Sequence, residues 1–299
     1  MKKQNTQILR TTIAALLLSS IFITANAQKL PNVQTISLRA PATIKVDGKT
    51  TEWDNKFQAY NHATEVYYTL SNDDNYLYLT VQATDQSVIN KIMSGGITLA
   101  INKARKKNDK NGVSITYPVF DRKNKPFFGT KNKLEIERGI TTVTDNPDSV
   151  MTVHNRILGE KSKLIGVTGI PGMDTLISVY NTDGIKTAQL FNNKGAYTYE
   201  LAVSLKNLGL TVDNPDKFAY HITLNGSSLF NNISFKASGM SEGGGGSAPI
   251  SVGAISFTSA DGSDAVKLFL DGGTAAPTDF WGEYTLAKQP GRVYILRIK

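Results

Sequence analysis

The side chains best suited to hold a ligand are aromatic. Tyr67, Tyr76 and Tyr78 occupy alternating positions in two apolar runs, and Trp281 lies near the C-terminal end. Aromatic faces stack on the apolar side of a sugar ring, while amides, carboxylates or basic groups take its hydroxyls. Successive side chains of a strand point to opposite faces, so these three tyrosines share the face opposite Leu77 and Leu79. Such a row is a candidate binding platform. It also serves a sheet simply as cross-strand aromatic pairs. Carboxylates form the second group. Asp47, Asp73 and Asp74, with Asp85 close behind, offer the hard oxygens that structural calcium takes. Asp261-Gly262-Ser263-Asp264 is a second polar turn. Neither has EF-hand spacing, and turn chemistry accounts for both without a metal.

Catalytic groupings are missing from the pattern. His62, His154 and His221 are widely spaced and lack metal-ligand intervals. No G-x-S-x-G elbow occurs, and nothing singles out two acids for glycoside hydrolysis. The expectation is a protein without a catalytic centre.

The elements that must position these residues are strands. Val66, Tyr68 and Leu70 alternate with Tyr67 and Thr69; Leu77, Leu79 and Val81 alternate with Tyr76, Tyr78 and Thr80. The polar run Ser71–Asn75 joins them, which predicts a β-hairpin. Ile44-Lys45-Val46 predicts a short strand ended by Asp47-Gly48. Further strands are expected over 96–101, 114–120, 175–180, 187–191, 196–203, 218–224, 280–286 and 293–296. Asn192–Gly195 is a turn, Ser204–Gly209 one helical turn ending at glycine, and Asp148–Lys163 the best helix candidate. Many short strands with regular turn signals predict an all-β, antiparallel sandwich of jelly-roll or immunoglobulin type, with one short helix.

Ahead of this lies Lys2, Lys3 and Arg10, an apolar core from Ile13 to Ile23, then Ala25-Asn26-Ala27. That order specifies a cleaved secretory signal over 1–27. Its apolar core is shorter than the ~20 residues a membrane span needs. The expectation is an exported chain of one sandwich domain over 28–299, periplasmic or extracellular, with no transmembrane segment once the signal is removed. Insertions fall at about 103–133 and 236–249, the latter a Gly- and Ser-rich loop. The chain has no cysteine, so a core and not disulfides must hold it. Formal charge is +8, and removal of Lys2, Lys3 and Arg10 leaves 30 Lys+Arg against 25 Asp+Glu. The basic cluster Lys103, Arg105, Lys106, Lys107 and Lys110 fits a solvated loop. Without interleaved aromatic and basic residues, nucleic acid is not the expected partner.

The motif Ile44-Lys45-Val46-Asp47-Gly48, Glu52-Trp53, Asn72-Asp73-Asp74-Asn75-Tyr76-Leu77-Tyr78-Leu79 and Asp85 resembles the opening of family 9 carbohydrate-binding modules and of DOMON-related sandwiches of secreted bacterial proteins. Tyr197–Val203 with the turn after it, and Phe280-Trp281-Gly282-Glu283-Tyr284-Thr285-Leu286, resemble later strands of the same domain. The resemblance implies a β-sandwich that holds a polysaccharide or oligosaccharide on an aromatic sheet face or loop end, and a structural calcium in some members. The family holds sugar between two tryptophans; the two here are Trp53 and Trp281, which do not align with that pair. Haem-binding DOMON relatives use Met and His ligands, and no spacing pairs those residues here. The other expectation is an interaction module for cell-envelope proteins, with the two insertions as contact loops.

Overall fold

In the computed structural model, residues 29–108, 112–120, 126, 147–213, 216–226 and 276–289 are described. Two antiparallel sheets pack face to face. The first has five strands in the order β1 (Ala59–Asn61), β2 (Val66–Asn72), β3 (Tyr76–Ala83), β9 (Tyr197–Ser204) and β8 (Ile185–Phe191). The second has six: β11 (Thr278–Tyr284), β10 (Phe218–Leu224), β4 (Ile97–Asn102), β5 (Val113–Val119), β6 (Leu164–Thr168) and β7 (Leu176–Ser178). The all-β sandwich is thus the observed fold. Pro31–Lys299 forms one compact unit.

Alternation builds the core. Tyr68 faces Val81, and Leu70 faces Leu79, across the β2–β3 hairpin. Ile97, Leu99 and Ile101 line up with Leu224, Ile222 and Tyr220 on one side and with Tyr117, Ile115 and Val113 on the other. These inward rows are almost wholly buried, apart from Val113, which is partly buried. A one-residue slip would turn them outward, which is what fixes the register. The core also takes in tyrosines. Tyr68, Tyr197, Tyr199 and Tyr220 are fully buried. Tyr68 and Tyr220 reach each other across the sandwich, and Tyr197 donates to Gln189 Oε1 at 2.6 Å.

Helices close the ends and edges. α1 (Gln86–Gly95) carries the chain from one sheet to the other and buries Val88, Ile89, Ile92 and Met93. Asp85 caps it, its carboxylate accepting from Ser87 and Val88 N–H. α2 (Pro147–Lys161) lies by β8, where Asn155 exchanges two hydrogen bonds with the Phe191 backbone. α3 (Leu205–Leu208) is one turn ended by left-handed Gly209. Among the described residues there are thus three α-helices where the sandwich was expected to carry one short helix; α2 falls on the Asp148–Lys163 candidate and α3 on the Ser204–Gly209 turn. α1 was not foreseen, although its buried residues at i, i+1, i+4 and i+5 form one helical face.

A strap of residues 33–40 ties the two sheets at one edge. The Gln34 side chain stands in for a backbone unit. Its Nε2 donates to Leu70 O and its Oε1 accepts from Leu70 N, both at 2.8 Å. Leu38 O then accepts from Asn72 N and from Tyr284 Oη, one residue from each sheet.

The strand expected at Ile44–Val46 is absent. The segment continues instead over the outer face of the five-stranded sheet. The Asp47 and Gly48 N–H groups go to the Glu200 carboxylate at 2.9 and 2.8 Å, so a side chain takes the place of a neighbouring strand. Gly48 has φ +82° and lies against Gln189 and Leu190, where a Cβ would collide. The strand expected over 293–296, the Gly-rich loop at 236–249 and the signal sequence lie outside the described residues. No helix among the described residues is long and apolar enough to cross a membrane.

Candidate functional site

The register separates the aromatic candidates. Tyr67, Tyr76 and Tyr78 do share the outward face of β2 and β3, since Tyr67 lies opposite Gln82 and Tyr78 opposite Ser71. That face belongs to the five-stranded sheet. Trp281 points outward from β11 on the other sheet, because its neighbours Phe280 and Gly282 are the inward, buried positions. The sandwich lies between them, so the four residues cannot contact one ligand together.

The tyrosine face is largely occupied. Tyr78 is buried to 9% exposure, and its hydroxyl donates to Asp73 Oδ2 at 2.7 Å. The Tyr67 ring is flanked by Tyr60 at 4.6 Å and by Phe57 at 5.7 Å. Tyr76 leans on Tyr78, with Lys186 Nζ 5.5 Å from its ring. Thr80, Thr198 and Glu200, next along this face, are each 3% exposed or less. Glu200 sits under the Asp47–Gly48 turn. Burial drives its pKa up to about 7, against two backbone hydrogen bonds that pull it down. A carboxyl sealed by its own chain has no room for a substrate. This row stabilises the sheet, the second of its two roles.

The carboxylates do not form a cation cage. Asp73 Oδ1 accepts from Asn75 and Tyr76 N–H at 2.7 Å each, and its other oxygen from Tyr78. Asp74 pairs with Arg39 at 2.8 Å and accepts from Gln289. Asp47 Oδ1 accepts from Lys49 N–H. These are turn and strap contacts. Among the described residues no cluster of three or more His, Cys, Asp or Glu could hold a metal ion. Asp47, Asp73 and Asp74 are thus each engaged by donors of the chain itself.

The outer face of the six-stranded sheet has a different character. Trp281 and His221 are direct cross-strand partners, and their rings stack at 4.1 Å and 8°. His221 Nε2 lies 3.1 Å from Asp279 Oδ1 and 3.4 Å from Thr223 Oγ1. Beside them, Thr98 Oγ1 meets Thr116 Oγ1 at 2.7 Å and accepts from Asn225 Nδ2 at 2.8 Å. Asn225 is held in turn by the carbonyls of Gly95 and Gly96. β11 is the edge strand of this sheet among the described residues. His221 comes from β10, so the indole face turned away from it looks off that edge. Trp281 is half-buried, and Asp279 is exposed. A fixed indole, a row of hydroxyls, an amide and a carboxylate thus share one face. Only Trp281 of this group stood out in the sequence. Asp279 lies two residues before Trp281 on the same face of β11, while His221 and the threonines join them through pairings between segments far apart in the chain.

Trp53, the other tryptophan, is half-buried in a short 3-10 turn (Thr51–Trp53), with its indole N–H buried and unbonded. Two surface cavities lie among the described residues. One, of about 370 Å³, has Glu283 as its sole carboxylate among the described lining residues; the other, of about 360 Å³ beside Leu208, has none. Neither assembles the acid pair that glycoside hydrolysis needs.

No family model matches the sequence, and no curated protein matches it. Four solved chains match the structure. One is a family 9 carbohydrate-binding module from Caldicellulosiruptor kristjanssonii, determined in complex with glucose. It is 11% identical, the match covers 64% of this chain and 78% of that one, and the TM-score is 0.30. A likeness this slight bears on no residue of the site. What the coordinates define is an antiparallel β-sandwich with an aromatic and polar patch on one outer face.

Proposed function

We propose that this is an exported, non-catalytic carbohydrate-binding protein that holds a saccharide on the outer face of the six-stranded sheet, with Trp281 as the stacking platform. The observation that carries the reading is the Trp281–His221 stack, set among Asp279, Thr223, Thr98 and Asn225. A saccharide ring needs an apolar plane beneath it and hydrogen-bonding groups around its rim. The stack fixes the indole before any ligand arrives, so little ordering entropy remains to oppose binding. The N-terminal signal pattern is what supports export.

The test is a glycan array probed with purified protein and with Trp281→Ala. Specific binding by the parent that the variant loses supports the reading. Binding that survives the substitution moves the site elsewhere, and no binding to any glycan removes it.

One observation favours a second reading, a module that binds envelope proteins. Leu176 and Tyr180, at the β7 edge, are exposed at 47% and 75%. β7 is the other edge of this sheet among the described residues, and a strand edge with apolar side chains is a template for strand addition by a partner. Loss of envelope-protein capture on Leu176→Lys would support it.

A further inference from the structure

The patch around Trp281 continues along the sheet into a basic end. The next outward pair beyond His221 and Trp281 is Ala219 and Glu283, with Lys217 beyond them. A strand rises ~3.3 Å per residue, so Glu283 stands about 7 Å from Trp281 along the same face. Two cations converge on its carboxylate, Lys217 at 3.3 Å and Arg105 at 4.0 Å. Arg105 belongs to the β4–β5 loop, as does Lys107. Lys107 and Lys217 line the 370 Å³ cavity between Glu283 and the strap residues Thr35 and Ser37. That cavity borders β11, the edge strand among the described residues, which the outer indole face overlooks.

Among the described residues that line the cavity, Lys107 and Lys217 face a single carboxylate, Glu283, which Arg105 also approaches. Glu283 itself is 38% exposed and Lys217 47%, so their attraction is largely screened by water, and the cations stay available to a ligand. A stacked ring on Trp281 would leave its neighbour in an oligosaccharide over these cations. A neutral glycan offers them only hydroxyls, whereas an anionic group adds charge to each hydrogen bond.

We propose that the ligand of this face is an acidic polysaccharide: one sugar ring stacks on Trp281, and a carboxylate or sulfate of an adjoining residue binds between Lys107 and Lys217. The proposal rests on the saccharide reading of Trp281 and adds the ligand's charge. Nucleic acid is the weaker fit for the same cations. Apart from His221, which is stacked against it, Trp281 is the sole aromatic residue on this run of the face among the described residues, whereas bases of a single strand need a succession of stacking rings.

The test uses the full exported protein with polygalacturonate, a sulfated dextran, neutral dextran, cellohexaose and single-stranded DNA, in affinity electrophoresis and calorimetry. Lys107→Ala/Lys217→Ala is expected to weaken binding of the acidic polymer by about fivefold or more, the worth of two exposed charge contacts. Any binding to a neutral glycan should stay unchanged. Glu283→Gln should tighten acidic binding, and added salt should weaken it. Whether polygalacturonate or sulfated dextran binds more tightly identifies the anionic group as carboxylate or sulfate. Trp281→Ala should weaken both acidic and neutral binding. Neutral binding alone, untouched by the lysine substitutions, would overturn the acidic ligand and leave the Trp281 reading standing. Acidic binding indifferent to Trp281→Ala, or tighter binding of DNA than of any polysaccharide, would overturn both.

Discussion

Tyr68 and Tyr220 bring their hydroxyls to 2.9 Å in the middle of the sandwich, one from each sheet. The Tyr68 oxygen also accepts from Gln34 N–H at 2.8 Å, so the strap is tied into the same point. Burial raises the pKa of both phenols, which stay neutral. Tyr68→Phe strands two buried groups, the Gln34 amide and the Tyr220 hydroxyl. Each orphan costs about 1–3 kcal/mol. Tyr220→Phe strands neither, because Tyr68 keeps Gln34. Urea unfolding should therefore rank Tyr68→Phe as clearly the more damaging. Equal losses, or the reverse order, would show that the strap is not held through this hydroxyl.

Gly282 is the cross-strand partner of Tyr220 on β11, and the Tyr220 ring lies where a Cβ on Gly282 would be. Gly282→Ala must push a fully buried ring out of place. Overpacking of this kind costs about 1–3 kcal/mol. If the clash is with Tyr220 alone, the penalty should shrink in the Tyr220→Leu background, as a double-mutant cycle would reveal. A penalty independent of residue 220 would assign the effect to the backbone.

Glu200 sets a pH dependence. Its folded pKa of about 7 exceeds the ordinary 4.5, chiefly through burial, with the nearby Asp47 and Glu52 charges adding to it. A carboxyl raised in this way contributes stability that is full below its unfolded pKa and is lost as pH rises through its folded one. Between about pH 4.5 and 7 the parent should lose roughly 3 kcal/mol relative to a variant that does not titrate there. Glu200→Gln keeps an oxygen to accept from Gly48 N–H. Its stability minus that of the parent should therefore increase by about 2–3 kcal/mol between pH 5 and pH 8. A difference that is flat across that range would mean the carboxyl titrates as if exposed.

How much of this was legible follows from what each signal depends on. The β2–β3 hairpin was visible because period-2 patterns flank a polar turn, and both strands pair locally. Phe218–Leu224 was bounded correctly from its own alternation of Phe218, Tyr220, Ile222 and Leu224, although both its partner strands lie far away in the chain. Ile44–Val46 carries a similar pattern, but the nearby Asp47 and Gly48 N–H groups go to Glu200, more than 150 residues away in sequence. Alternation reports which side chains are apolar and cannot report such a partner. α1 had its signal in Asp85 and the Val88, Ile89, Ile92, Met93 spacing, yet it is short and follows a strand directly. The candidate site was half legible. Periodicity gives the face of one strand, so Tyr67, Tyr76 and Tyr78 were rightly grouped. Which sheet a strand joins depends on long-range pairing, and that placed Trp281 on the opposite side of the sandwich.

This separation makes a last prediction. If saccharide binds at Trp281, the tyrosine face has no part in it. Tyr76→Ala removes a half-exposed ring whose contacts are Tyr78 and Lys186, so the fold should survive with a loss of about 1 kcal/mol, the scale of one cross-strand pair. Its affinity for any glycan the parent binds should match the parent within error, while Trp281→Ala in the same assay loses binding. The opposite result would move the ligand to the five-stranded sheet. It would then require the Asp47–Gly48 turn to lift from Glu200, because the rest of that face is covered. Hydrogen exchange at the Asp47 and Gly48 amides with and without glycan would detect that motion, and unchanged protection would keep the ligand on the Trp281 side.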